Sequence, residues 1–94
     1  MIKSIRHKGL RLLWEEGNSS KLPAEQIVRI ERILIMINKA RNVPFDFAAF
    51  KAWNIHKLKG ELNEYWSIKV FKNYRIIFCF DGQDAYNIDY IDYH

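Results

Sequence analysis

Residues 65–94 read YWSIKVFKNYRIIFCFDGQDAYNIDYIDYH, and this stretch decides the fold. From Tyr65 to Phe71, the apolar Trp66, Ile68 and Val70 alternate with Tyr65, Ser67 and Lys69, the period-two pattern of a half-buried strand. Lys72-Asn73 is a tight turn. From Tyr74 to Phe80, Ile76, Phe78 and Phe80 share one face, and Arg75, Ile77 and Cys79 share the other. Asp81-Gly82 is a strong hairpin signal. Asp84 to Tyr90 is then the return strand, with Tyr86, Ile88 and Tyr90 expected on one face. Three strands joined by two tight turns predict an antiparallel meander.

Working back from the meander, Asn54 to Leu58 is a short strand candidate followed by a turn at Lys59-Gly60. The first half of the chain reads helical. Leu10, Leu13 and Trp14 repeat at helical spacing within His7 to Glu16, and Gly17 stands where a left-handed stop is wanted. Asn18 to Leu22 is a polar loop. Pro23 fits the first turn of a second helix, with Glu25 favourable near its positive end. Ile27, Ile30, Leu34 and Ile37 form its apolar stripe, and Ile33 widens it. Asn42, Val43 and Pro44 end it. Ile2 to Ile5 is a further short strand candidate. Two N-terminal helices followed by an antiparallel meander predict a single α+β domain over residues 1–94, with the helices packed on one face of the sheet and the other face open.

Ninety-four residues leave no room for a second domain, and a chain of this size buries roughly 60–65% of its unfolded surface. A large enclosed cofactor cavity would consume that core, so an open cleft is expected and no cofactor. Four Gly and two Pro exclude a long linker. Residues 1–80 carry fifteen Lys and Arg against seven Asp and Glu, a body of net +8. Residues 81–94 carry four Asp and no Lys or Arg. The body suits a polyanion such as nucleic acid, although an ordinary solvated surface also accounts for it. Cys79, the lone cysteine, excludes an internal disulfide and multi-cysteine zinc patterns. The N-terminus has no signal-peptide pattern, and the longest apolar run, Ile33 to Ile37, is far short of a membrane span. A soluble cytoplasmic protein is expected.

Three histidines bear on chemistry. His7 reads as a surface or packing residue. His56 lies in the basic segment Ile55-His56-Lys57-Leu58-Lys59-Gly60, and His94 ends the chain within Asp92-Tyr93-His94. An imidazole near neutrality gives or takes a proton, and a nearby carboxylate favours its charged form. Arg75 should project from the open face, where its planar fork suits a phosphate or pairs with a carboxylate. Tyr65, Trp66, Tyr74, Tyr90 and Tyr93 offer stacking surfaces for single-stranded bases, with Trp66 and Tyr90 more readily read as core. A metal site from His56, Asp89, Asp92 and His94 lacks a dense ligand motif, so no metal is expected. No phosphate-binding Gly-rich loop or Ser-His-Asp arrangement stands out, and Cys79 in mid-strand is a poor nucleophile candidate.

Taken together, His56-x-Leu58-Lys59-Gly60, Tyr65-Trp66-Ser67-Ile68, Asn73-Tyr74-Arg75-Ile76-Ile77-Phe78, Asp84-Ala85-Tyr86 and the terminal Asp89-Tyr90-Ile91-Asp92-Tyr93-His94 resemble the HigB toxins of the RelE superfamily. The opening Ile2-Lys3-Ser4 and His7-Lys8-Gly9-Leu10 extend the resemblance end to end. It implies a RelE-like α+β domain with a curved sheet, and a type II toxin that cleaves mRNA in the A site of the translating ribosome. It places catalytic roles on His56, Arg75, Asp92, Tyr93 and His94, and RNA contacts on Lys57, Lys59 and Tyr74. It implies a helix-turn-helix antitoxin of the HigA type as partner, with operator DNA reached only through that antitoxin. The chain departs from the pattern at Lys57, where relatives often have proline, and at Tyr74, where many have tryptophan. The loop Glu61-Leu62-Asn63-Glu64 lacks a glycine common before the aromatic pair. A non-catalytic RNA- or antitoxin-binding module, a degenerate toxin kept as corepressor, is the competing reading.

Overall fold

The structure, a computed structural model, describes residues 1–93; His94 lies outside them. Helix α1 spans Lys8–Glu16 and α2 spans Ile27–Lys39. Strands β1 (His56–Lys57), β2 (Trp66–Phe71), β3 (Tyr74–Asp81) and β4 (Asp84–Asp92) form one antiparallel sheet in sequential order. The expected α+β architecture is found.

Local chemistry sets the boundaries. His7 starts α1 as its cap, its Nδ1 accepting from the Leu10 amide at 3.2 Å. Gly17 stops the helix at φ 69°, its amide and that of Asn18 closing on the carbonyls of Leu13 and Leu12. A short 3-10 turn, Ala24–Gln26, precedes α2 where the sequence suggests one continuous helix from Pro23. The Asp81–Asp84 hairpin puts Gly82 (φ 56°) and Gln83 (φ 71°) in left-handed backbone, as a tight turn matching strand twist requires. Between α2 and β1, Phe45–Phe47 and Lys51–Trp53 form two 3-10 turns whose Phe47 and Trp53 are buried.

Both helices pack on one sheet face. Leu10 and Leu13 from α1 and Ile30, Ile33, Leu34 and Ile37 from α2 meet Ile68, Val70, Ile76, Phe78, Ala85 and Ile88 from the strands in one cluster. Residues 1–6 lie beside β4 in parallel orientation, bridging it at Ile2–Ala85 and Ile5–Ile88. The sheet is therefore mostly antiparallel, with this short parallel edge.

Plain alternation along β4 fails, and this corrects the expectation that Tyr86, Ile88 and Tyr90 share a face. Cys79 pairs with Tyr86, but Ile77 pairs with Asp89, so one extra residue is inserted in β4 between them. Asn87 takes up this bulge at φ 53°, a conformation asparagine tolerates. The amide of Asn87 donates to Ser4 Oγ at 2.8 Å, so the hydroxyl on the edge segment satisfies the amide released by the bulge. Ala85 and Ile88 are both fully buried as a result, while Tyr86 points to solvent.

A second bulge lies between Lys69 and Phe71. There Arg29 of α2 donates to the Val70 carbonyl at 2.7 Å, tying helix to sheet. Bulges bend and twist a sheet, which gives this one its curvature.

Ser4→Ala should lower unfolding free energy by about 1 kcal/mol, because the bulge amide loses its acceptor. Urea denaturation should show a lower midpoint with unchanged slope. An unchanged midpoint would show that Ser4 does not hold the bulge.

Candidate active site

His56 stands on β1 opposite Ser67, which in turn pairs with Ile77. This row lies on the sheet face away from the helices. His56 is exposed, and its Nδ1 is 2.8 Å from the carbonyl oxygen of Asn54. A carbonyl only accepts, so Nδ1 donates and Nε2 is the basic nitrogen of the neutral ring. Asn54 adopts left-handed backbone (φ 46°) just after the Lys51–Trp53 turn, and that local geometry presents the carbonyl. Lys57 alternates to the opposite side, with Nζ 5.1 Å from the Trp66 ring centroid in a cation–π contact. Lys59 is exposed just beyond β1, ahead of Gly60 at φ 72°.

Arg75 pairs with Lys69 on one side and Ile91 on the other, on the same face as His56. Strand spacing separates the two Cα atoms by ~12 Å. The Arg75 guanidinium bends back over the β2–β3 turn, Nη1 donating to the carbonyls of Lys72 (2.7 Å) and Tyr74 (3.2 Å). This orients the fork at the sheet end. Tyr93 extends the ladder one residue beyond β4, its amide donating to the Asn73 carbonyl at 2.8 Å. Alternation puts its half-exposed ring on Arg75's side.

Tyr74 and Asp92 pair with each other, and Tyr90 pairs with Ile76, so these three belong to the helix-side face. The β4 bulge sets that parity. The Tyr74 and Tyr90 rings stack at 5.4 Å with an interplanar angle of 6°. The Tyr90 hydroxyl donates to Gln26 Oε1, and Gln26 is 2% exposed. Burial first, then neighbouring Tyr74, pushes the Tyr90 phenol up to about 12, so it remains protonated and donating at neutral pH. The His7 ring meets Tyr90 edge-on at 5.4 Å. Helix starts thus brace the end of β4 through Tyr90.

The sequence-derived residues therefore divide. His56, Arg75 and Tyr93 share the open face; Tyr74 and Asp92 sit on the other side of the same sheet end; Lys57 covers Trp66; His94 lies outside the described residues. His7 takes the packing role read for it from the sequence, while Gln26 is not among the residues read there. A signal for Gln26 is present, because it extends the apolar stripe of Ile30, Ile33 and Ile37 by one turn. Cys79 is half-buried on the open face, and burial pushes its thiol up, away from the reactive thiolate. Among the described residues, no three His, Cys, Asp or Glu side chains converge to hold a metal ion, and no helix is long and apolar enough to cross a membrane.

Comparison with known proteins agrees with this fold. Residues 3–94 match the family model described as the RelE-like toxin of type II toxin–antitoxin system HigB. The chain is 44% identical over 94 residues to Endoribonuclease HigB of Proteus vulgaris, covering the whole of both chains. Among solved structures it is similar to a YafQ mutant from E. coli, at TM-score 0.56 and 13% identity, covering 95% of this chain and 87% of that one. YafQ itself gives TM-score 0.53 at the same identity and coverage.

The His7 cap titrates. Burial lowers the His7 pKa below the ordinary 6.5, with Asp89 opposing the shift. A folded pKa below the unfolded value means that the contribution is complete above pH ~6.5 and lost as pH falls, since the native state resists protonation. Protonation also removes the Nδ1 acceptor from the Leu10 amide. Unfolding free energy should fall as pH drops from ~7.5 to ~5. His7→Asn, which keeps a capping acceptor without titrating there, should flatten that change. An equally steep profile in the variant would contradict the assignment.

Proposed function

The chain belongs to the HigB-like toxins of type II toxin–antitoxin systems and is a homologue of an endoribonuclease; on that premise we propose that it is a ribosome-dependent mRNA endoribonuclease, cleaving message in the ribosomal A site and neutralised by a HigA-type antitoxin. The observation that carries this reading is the pairing of His56, its Nε2 left basic, with Arg75 on one open sheet face. A proton-transfer group and a phosphate-binding fork on an uncovered surface suit RNA cleavage without a buried pocket.

In this scheme the 2′-hydroxyl attacks the adjacent phosphorus. A base removes its proton as the 2′-O–P bond forms. The P–O5′ bond breaks, and an acid protonates the departing oxygen. The products are a 2′,3′-cyclic phosphate and a 5′-hydroxyl. His56 supplies one proton transfer, and the terminal Asp92-Tyr93-His94 segment supplies the other. Asp92 reaches the substrate where RNA passes around the end of the sheet, and Tyr93 stacks on or orients it. Arg75 and Lys59 stabilise the charge that grows on the phosphate, so the reaction needs no metal ion. The +8 body docks on the ribosome, while the acidic β4 disfavours free RNA backbone. The ribosome then presents mRNA in reactive geometry.

On programmed ribosomes, His56→Ala and Arg75→Ala should each slow cleavage by about 100-fold or more with the fold intact by circular dichroism. A 2′-deoxy substitution at the scissile nucleotide should block cleavage, and EDTA at fixed ribosome integrity should not. Full activity in both Asp92→Asn and His94→Ala would remove the terminal segment from the mechanism. Comparable rates on naked mRNA would contradict the ribosome requirement. A wild-type chain that binds antitoxin but cleaves nothing would favour the corepressor reading.

A further inference from the structure

The open face carries a cation outside the set just described. Residues 1–6 follow the outer edge of β4, and Ile2 and Ile5 turn into the core. The Arg6 amide donates to the Ile88 carbonyl at 2.7 Å, which fixes the backbone there. Next to inward-facing Ile5, the Arg6 side chain turns outward over the open face. It reaches across the sheet to Tyr65, beside β2, with Nη1 donating to the phenolic oxygen at 3.4 Å. On the same face, Ile77 and Ser67 are 4% and 1% exposed. The Tyr65 hydrogen bond first, then Asp89, paired with Ile77 on the same face, favour the charged guanidinium.

We propose that Arg6 is a further RNA-binding residue, a phosphate contact reaching over the open face from the β4 edge segment and held there by Tyr65. This rests on the RNA-cleaving function proposed above. The guanidinium is exposed, although its position is set by the Ile88 backbone bond, the Tyr65 hydroxyl and the Asp89 charge. Preorganisation of this kind lowers the ordering cost of binding. The bond to Tyr65 is long and uses one of five N–H donors, leaving a planar fork that suits two phosphate oxygens. His56 occupies the β1 edge of the same face, about three strand spacings or ~14 Å from Asp89. RNA lying across the strands then meets Arg6 over the face and His56 at its β1 edge.

The test uses the full-length protein and ribosomes programmed with a message carrying 2′-deoxy at the scissile nucleotide. Affinity is measured across a salt series, and kcat and KM are measured separately with cleavable message. Arg6→Ala should weaken binding about 10-fold and raise KM, with kcat within about 3-fold of wild type. The slope of log affinity on log salt should shrink by about 0.7, the signature of one lost phosphate contact on a single strand. Arg6→Lys should keep the slope and recover part of the affinity. Tyr65→Phe should weaken binding less, with the slope unchanged. Wild-type slope and affinity in Arg6→Ala would overturn the inference while leaving the cleavage reading standing. Weakened binding with an unchanged slope would reduce Arg6 to a structural tie and overturn it equally. A wild-type protein that neither binds nor cleaves would overturn both.

Discussion

The bulge at Asn87 controls what the sheet can do. A strand has side-chain period two, so Ala85 and Ile88, three positions apart, cannot both enter the core from a regular β4. The extra residue resolves this, with Asn87 in left-handed backbone and its amide held by Ser4 Oγ. Every later residue of the strand changes face as a consequence. Asp89, Ile91 and Tyr93 join Arg75, while Tyr90 and Asp92 turn towards the helices. The geometry of the candidate site therefore follows from a packing requirement in the core, some distance from any chemistry.

That division also explains the tyrosines. Tyr74 and Tyr90, which as isolated residues suggest a base-stacking platform, stack on each other. Tyr90 is further held by buried Gln26 and by the His7 edge. Two helix starts thus reach the end of β4 through polar and aromatic contacts. The open face is left to polar groups: exposed His56 and half-buried Arg75 on the strands, and exposed Arg6 from the edge segment. The basic body and the acidic final strand that the sequence keeps apart meet on this face, where Asp89 acts on the Arg6 guanidinium.

The fold was legible wherever periodicity was clean. Trp66, Ile68 and Val70, then Ile76, Phe78 and Phe80, set the central strands, and the stripe of Ile30, Ile33, Leu34 and Ile37 set α2. The turn chemistry of Gly17 and Asp81-Gly82 placed boundaries correctly. The site was only partly legible. His56 and Arg75 stood out by residue type and by the parity of regular strands. The face of Asp92 did not, because a bulge has no strong sequence mark when asparagine replaces glycine. Gln26 and the partner of His7 were hidden for a different reason: both contacts are with Tyr90, sixty-four and eighty-three positions away. Arg6 was one basic residue among fifteen until the edge segment placed it over Tyr65.

The central claim is that this open face cleaves RNA through its own 2′-hydroxyl. Chemical analysis of the ends left on message cleaved by the wild-type protein on programmed ribosomes tests it most directly. The account predicts a 2′,3′-cyclic phosphate, or the 3′-phosphate formed when it hydrolyses, upstream of the cut and a 5′-hydroxyl downstream. A 3′-hydroxyl paired with a 5′-phosphate would contradict it, because water rather than the neighbouring hydroxyl would then have attacked the phosphate.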